Sequence, residues 1–504
     1  MAAPAGNVVC IGAGPAGLTA AYLLARAGVG VTVVERDPAY VGGISRTESY
    51  KGFHIDIGGH RFFSKSAEVE ALWDEILGDD FLQRPRKSRI YYRHRLIDYP
   101  LRARDALAKI GPLEALRCML SYARARLFPV REPRNFEQWV VNQFGRRLFE
   151  IFFRTYTEKV WGVPCTEISA DWAAQRIKGL SLSRALWHAI APQRGAGSGG
   201  QTIKTLIDRF RYPRRGPGMM WDAAARKIVA SGGTVLMGHT VAATTYDPAA
   251  QRWVVTMLDP EGVELNLIAD HVISSAPVRD LVAGLSPALP AAARAAAAAL
   301  RYRDFLVVAL IVKDRDAFDD NWIYIHDPGV MVGRIQNFKS WSPEMVPDPA
   351  LNCYGMEYFC FEGDGLWNTA DGELVALAAK ELVSLGLAAR DDILDGTVIR
   401  QVKAYPVYDD AYRQHVAQVR DAIAASCPNL HLVGRNGMHK YNNQDHAMMT
   451  AMLTARNILA GRQVYDVWRV NQDAEYHESG EDTVLAADEG GRLTPARVGD
   501  AAPP

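Results

Sequence analysis

A buried strand-like run from Asn7 to Ile11, the glycine turn Gly12-Ala13-Gly14-Pro15-Ala16-Gly17 and an acid, Glu35, closing a second strand-like run predict an α/β protein built on a Rossmann-like dinucleotide-binding unit. Between the strands, Leu18 to Arg26 reads as a helix rich in Ala and Leu, and Gly30 to Glu35 as the second strand. Gly12 permits the tight turn, Gly14 lets a pyrophosphate approach the backbone beside Ala16, and Gly17 allows the helix to pack closely. The phosphates then meet a helix N-terminus, where unpaired N–H groups favour anions. A glycine turn alone opens many helices, and an acid at a strand end is often only solvated. Here Glu35 stands at the spacing of a carboxylate that accepts hydrogen bonds from a ribose.

The bulk properties narrow the classes. A chain of 504 residues that is 48% hydrophobic and 23% charged can bury two or three cores, which predicts several domains. Lys plus Arg and Asp plus Glu are both 57, so no net field draws nucleic acid or an anionic membrane by bulk attraction, and an anion must be bound by local positive groups. The cysteines Cys10, Cys118, Cys165, Cys353, Cys360 and Cys427 are scattered without a C-x-x-C pair, which predicts reduced core thiols and no metal site. The N-terminus enters a strand without a basic segment and cleavage site, and no apolar run has the length of a membrane span; a cytoplasmic location is expected.

Helical patterns with aromatic faces dominate from about Ala67 to Ala189, for example Phe136 to Val141 and Leu148 to Thr155. Gly195 to Gly200 reads as a flexible joint, after which Val235 to Thr240, Trp253 to Leu258 and His271 to Ser275 read as strands. Pro287 to Leu300 is an Ala-rich helix, and Phe305 to Val312 a buried strand that opens a second insertion. Leu430 to Val433 and a helix from Ala447 to Leu459 close the nucleotide domain. The expected organisation is a discontinuous nucleotide domain at 1–85, 205–300 and 425–462, a helical insertion at 86–204, a sheet-containing substrate domain at 301–424, and a disordered tail at 476–504.

Val41-Gly42-Gly43-Ile44-Ser45-Arg46-Thr47 resembles the second glycine pair of the glutathione-reductase-type FAD proteins, where Gly42, Gly43 and Arg46 would approach the flavin half of the dinucleotide. That pair argues for FAD over NAD. In Asp56-Ile57-Gly58-Gly59-His60, Gly59 would let a flavin ring lie against backbone with His60 beside it, although a lone histidine is more often structural. Val235 to Val241 resembles the strand that contacts adenine in those proteins, and Ile273 to Pro277 the strand and loop returning beneath the cofactor.

Further segments, spread to about Leu459, resemble the UDP-galactopyranose mutase family, its eukaryotic-type sequences more than the compact bacterial ones. They are Gly58-Gly59-His60-Arg61-Phe62-Phe63; Tyr156-Thr157-Glu158-Lys159-Val160-Trp161-Gly162; the loop Phe210 to Gly218, a form shared with amine-oxidase-like flavoproteins; Asn321-Trp322-Ile323-Tyr324 with Arg334; and Gly434-Arg435 through Asn443-Gln444-Asp445-His446. Two departures stand out. No second arginine follows Arg176, and His439 occupies a place where an aromatic is usual.

The resemblance implies an FAD-dependent enzyme that interconverts the pyranose and furanose forms of a nucleotide-diphosphate sugar, UDP-galactose or another hexose or deoxysugar, through a reduced-flavin N5 sugar adduct without net redox. NAD(P)H would be a reductant. It places His60, Arg176 and Arg334 in catalysis, the two arginines on the diphosphate. Trp322, Tyr324, Tyr405, Tyr441 and Asn443 would bind substrate, and Val241, Gly434, Arg435 and Asp445 would join the FAD contacts. Planar guanidinium suits phosphate oxygens, and Trp322 and Tyr324 alternate with Ile323, so they share one strand face. Two alternatives stay open: an oxidoreductase of the amine-oxidase or protoporphyrinogen-oxidase type, and a flavin-stabilised binding protein. The sequence leaves the oligomeric state open.

Overall fold

The computed structural model describes residues 6–99, 103–168, 170, 209–409, 411–470 and 497–498. Arg176, the Gly195–Gly200 stretch and all of the expected tail except Arg497 and Val498 lie outside them. Val498 donates its N–H to Val464 O at 2.8 Å, next to the bridge between Tyr465 and Arg497.

The N-terminal unit forms as its pattern predicts. Val8–Ile11 is the central strand of a five-stranded parallel sheet, ordered Leu430–Leu432, His271–Ser274, Val8–Ile11, Val31–Val34, Thr234–Leu236. Side chains alternate between faces along a strand, and here both faces are covered, so the central strand is apolar throughout. Val8 and Cys10 pack with Leu18, Leu24, Trp221, Met448 and Met452 beneath the helices Pro15–Arg26, Gly218–Ala230 and Gln444–Leu459. Val9 and Ile11 pack with Trp253, Val255 and Ala297 under the antiparallel strands Thr240–Asp247, Arg252–Leu258 and Glu264–Ala269.

One run is divided. Val235 to Val241 reads as a single strand, but Thr234–Leu236 ends in the parallel sheet, Gly238 turns at φ +71°, and Val241 lies in Thr240–Asp247 opposite Met257. The positive φ, which suits glycine, separates the two sheets.

The second sheet has seven strands, ordered Ile393–Pro406, Tyr302–Lys313, Leu351–Cys360, Arg334–Asn337, Trp322–Ile325, Ser88–Tyr92, Arg95–Asp98. Its last hairpin falls at the start of the stretch read as helical. Ser88–Tyr92 instead pairs in parallel with Trp322–Ile325 and antiparallel with Arg95–Asp98, with Ile90 and Tyr91 both buried. Along Tyr302–Lys313, Leu306, Val308 and Leu310 pack under the helix Asp371–Ser384, while Phe305, Val307 and Ala309 face Phe53, Ile55, Ile57 and Trp341.

Helices Pro112–Leu127, Phe136–Phe144 and Thr155–Trp161 belong to the described helical region, together with Ala103–Ile110 and Arg146–Phe149. Asn135 starts the second by accepting the Gln138 N–H at 3.0 Å, and Phe136, Val140, Phe149 and Trp161 fill its core. Glu150–Arg154 is a π-helical turn immediately before Tyr156, the type of irregularity that recurs near functional sites. All six cysteines are buried and free.

Candidate active site

The dinucleotide elements converge at the carboxyl ends of the parallel strands. Gly12 has φ +95° and donates its N–H to Val34 O at 2.8 Å; a Cβ on Gly17 would meet Gly12 O at 1.9 Å. The second glycine pair reaches the same place, with Gly42 N–H donating to Ala13 O at 2.8 Å and a Cβ on Gly43 falling 3.4 Å from the Gly14 Cα. Gly434, at φ +76°, approaches so closely that its Cβ would lie 3.0 Å from the Ala16 Cβ. Three glycine segments therefore bring backbone to one spot, at the N-terminus of Pro15–Arg26.

Glu35 closes the cradle. Its Oε2 accepts from Ala13 N–H at 2.7 Å and its Oε1 from Asp37 N–H at 3.0 Å, which fixes the carboxylate at the strand end. His239 N–H donates to Glu35 O at 2.9 Å and so ties the turn before Val241 to the same place. Arg46 donates to Gly43 O at 3.1 Å and to Gln401 Oε1, and pairs with Glu48. Asp445 is buried at the start of the helix Gln444–Leu459, 3.8 Å from His446 Nδ1. Both amide atoms of the neighbouring Gln444 are buried without a hydrogen-bond partner. A dinucleotide fits this donor set: glycines where a Cβ would intrude, an acid for the ribose, and a buried amide needing a polar partner.

Beyond the cradle, Gly58 lies between Arg334 and His60. A Cβ there would lie 3.7 Å from Arg334 Nη2 and 3.8 Å from His60 Nε2. Gly59 is exposed although Phe53 and the residues from Ile55 to Gly58 are buried, which leaves open backbone at the place proposed for a flavin ring. His60 Nε2 lies 2.8 Å from Ile57 O, so this nitrogen carries the proton. Burial, then the charge of Arg435, lowers its pKa to about 4, so the imidazole is neutral near pH 7.

Arg334 lies opposite Glu357 on adjacent antiparallel strands and donates through Nε to Glu357 Oε2. The carboxylate has no solvent exposure and also accepts from Gln336 Nε2 at 2.7 Å, whose Oε1 accepts from Trp341 Nε1 at 2.9 Å. Burial opposes the charge on Arg334, but Glu357 and the phenols Tyr156, Tyr405 and Tyr324 hold it more firmly cationic than a free guanidinium. Burial also raises the Tyr405 phenol to about 12 and the Tyr156 phenol well above its usual value, so both are O–H donors at neutral pH.

Tyr405 and Tyr441 stack at 5.7 Å and 11°, with the Arg435 guanidinium 5.4 and 4.9 Å from their centroids. Arg435 is itself fixed by Asn442 O and Ala404 O at 3.0 and 3.1 Å. Trp322 and Tyr324 share a face as their spacing predicts, 6.3 Å apart, but do different things. Trp322 is buried against Trp341, whereas Tyr324 meets Tyr156 at 5.3 Å and Tyr99 at 5.0 Å. Asn443 is the N-cap of Gln444–Leu459, its N–H donating to His446 Nδ1 at 3.2 Å. His439, buried edge-on to Tyr302 at 4.8 Å, fills its position as a neutral ring with a pKa lowered by burial to about 4.

Sequence reading missed Tyr156 and Glu357 as site residues. Tyr156 stood inside a quoted motif. Glu357 was visible as the one acid in the apolar run Asn352 to Cys360, where a buried charge demands a partner. Lys159, one turn from Tyr156, donates to Asp327 O and Val332 O at 2.6 and 3.1 Å, and anchors the loop that leads to Arg334.

Known proteins share this fold. A crystal structure of reduced UDP-galactopyranose mutase superposes with a TM-score of 0.74 at 23% identity, over 90% of this chain and 94% of that one. A putative protoporphyrinogen oxidase from Exiguobacterium sp. 255-15 follows at 0.66 and 16% identity, over 90% and 99%. In sequence, a probable UDP-galactopyranose mutase from Klebsiella pneumoniae is 24% identical over 173 residues, 33% of this chain and 43% of that protein, so less than half of that relative's length is matched. The pattern of the flavin containing amine oxidoreductases matches residues 15–459. With that match spanning most of the chain, the protein belongs to the flavin containing amine oxidoreductase family and is an FAD flavoenzyme.

Proposed function

We propose that the enzyme interconverts the pyranose and furanose forms of a nucleotide-diphosphate sugar. One observation carries this reading: a desolvated arginine, Arg334, anchored by Glu357 and ringed by Tyr156, Tyr324 and Tyr405 beside Gly58 and His60. Held by the Gly12–Gly17, Gly42–Gly43 and Gly434 segments, FAD in its reduced form would supply the nucleophilic chemistry at the anomeric carbon, with NAD(P)H as the proposed source of its electrons. The leaving diphosphate gains charge as the anomeric bond breaks, so preorganised cations and O–H donors lower the barrier. Arg334 Nε is taken by Glu357 while Nη2 faces Gly58, which leaves the outer edge of the guanidinium for a phosphate oxygen. Tyr405 and Tyr156 donate to the same oxygens, Arg435 holds the Tyr405–Tyr441 stack in place, and Tyr324 borders the nucleotide. Arg176 would be the second diphosphate cation. Neutral His60, its Nε2–H directed to Ile57 O, adds no charge that would compete for the anion.

The second reading, an oxidoreductase of the amine-oxidase or protoporphyrinogen-oxidase type, draws on family membership and the likeness to the putative oxidase. Anaerobic incubation of dithionite-reduced enzyme with a panel of nucleotide sugars separates the two. A mutase yields furanose product with no stoichiometric use of reductant. Consumption of one NAD(P)H or O₂ per product assigns the protein to the oxidoreductases.

A further inference from the structure

The helix Pro112–Leu127 turns its small residues inward and its large apolar ones outward. Cys118 and Ala125 are its buried positions, whereas Leu113, Leu116, Leu120 and Leu127 are 63%, 49%, 63% and 74% exposed. Their spacing of three, four and seven residues sets them on one stripe, and Phe128 and Val130 extend it past the helix end at 76% and 42% exposure. Single exposed leucines are ordinary, but a contiguous stripe of this kind marks a docking surface.

Charge identifies what docks there. Lys plus Arg and Asp plus Glu balance at 57 each over the chain, yet residues 86–135 hold 13 of the former and 4 of the latter. On the helix the one acid, Glu114, is paired with Arg147 and Arg117, while Arg117, Arg124 and Arg126 flank the leucine stripe with exposed side chains. A second copy of the helix is a poor occupant, because antiparallel pairing centred between Leu120 and Ser121 sets Arg117 against Arg124 of the other copy, and like charges at flanking positions repel. An anionic lipid surface satisfies both features. Leucine and phenylalanine side chains enter the acyl boundary, while arginine stems lie along the apolar face and their guanidinium groups reach headgroup phosphates. We propose that the Leu113 to Val130 face docks the enzyme peripherally on an anionic phospholipid membrane. No described helix is long and apolar enough to cross one, so the attachment is interfacial.

The test is co-sedimentation of the full-length, FAD-loaded protein with phosphatidylcholine vesicles, with and without phosphatidylglycerol. Binding should require phosphatidylglycerol and weaken in high salt, as screening shortens the reach of surface charge. Leu116→Gln/Leu120→Gln/Leu127→Gln and, separately, Arg117→Gln/Arg124→Gln/Arg126→Gln should each lower the vesicle partition coefficient at least about tenfold. Flavin absorbance and turnover should stay unchanged, since these side chains lie on the solvent face. Wild-type protein that ignores phosphatidylglycerol, or leucine-substituted protein that binds as wild type does, overturns the proposal. So does a dimer in sedimentation equilibrium that the leucine substitutions dissociate without any vesicle binding.

Discussion

Arg334 and Glu357 face each other across adjacent antiparallel strands, and the buried carboxylate of Glu357 holds the guanidinium through its Nε. Removing one partner of a buried pair leaves the other charge uncompensated. Glu357→Ala should therefore lower unfolding stability by about 3–5 kcal/mol, Glu357→Gln by less, and Glu357→Leu combined with Arg334→Met should recover much of the loss. Urea denaturation of the three variants measures this. Equal stability of Glu357→Ala and wild type would show that the pair carries no structural load.

Substitution of Arg334 itself should read out in catalysis. A charged hydrogen bond is worth roughly 1.5–3 kcal/mol, so Arg334→Ala should reduce kcat/KM on the accepted nucleotide sugar by about ten- to hundredfold, with Arg334→Lys retaining charge but losing the fork. FAD content should not change. Arg176→Ala should behave similarly, and the double variant should be nonadditive if both cations hold one diphosphate. Normal turnover by Arg334→Ala would move the assignment to the redox reading.

The cradle makes a separate prediction about cofactor retention. Purified protein should carry one noncovalent FAD per chain, released on denaturation. Gly43→Val should sharply lower retention, because its φ of +55° is strained for a β-branched residue and the branches beyond a Cβ already 3.4 Å from the Gly14 Cα would crowd the place proposed for the pyrophosphate. Glu35→Ala should weaken FAD binding by about tenfold or more through loss of a charged acceptor. The absorbance ratio of flavin to protein after gel filtration measures both, and an NAD-loaded or cofactor-refractory protein would contradict the assignment.

Acid should destabilise the protein beginning below about pH 6.5. Burial lowers the pKa of His60 and His439 to about 4 and of His326, His431 and His446 to about 3, so the unfolded chain takes up protons between pH 6.5 and those values that the folded chain refuses. Stability therefore falls as pH drops through that window. Asp56 works in the opposite sense: burial raises its carboxyl to about 7, so the folded state binds a proton that the unfolded state releases, and stability is gained as pH falls toward 3.8. Burial lowers His54 and His271 as well, and these seven histidines outweigh the four carboxyls that burial raises, Asp56, Asp222, Asp304 and Glu357. Thermal melts from pH 7.5 to 4.5 should show a declining Tm, and His326→Phe should flatten the slope.

The sequence by itself determined the nucleotide half of the molecule. Gly12, Gly14, Gly17 and Glu35 lie within one βαβ unit, and local chain geometry forces a turn, a strand end and a helix N-terminus to meet whatever surrounds them. The long buried strand at Tyr302–Lys313 was equally legible, as an apolar run too short for a spanning helix and rich in β-branched residues. Tertiary structure alone decided the cluster proposed as the substrate side. Tyr156, Arg334, Glu357 and Tyr405 come from a helix and three strands separated by up to 249 residues of chain, and no local period records that they converge. The hairpin at 88–98 was hidden for the same reason, since its sheet partner, Trp322–Ile325, lies more than two hundred residues away. Pairing at that distance depends on buried area and on the partners available to each polar group, which only the assembled fold supplies.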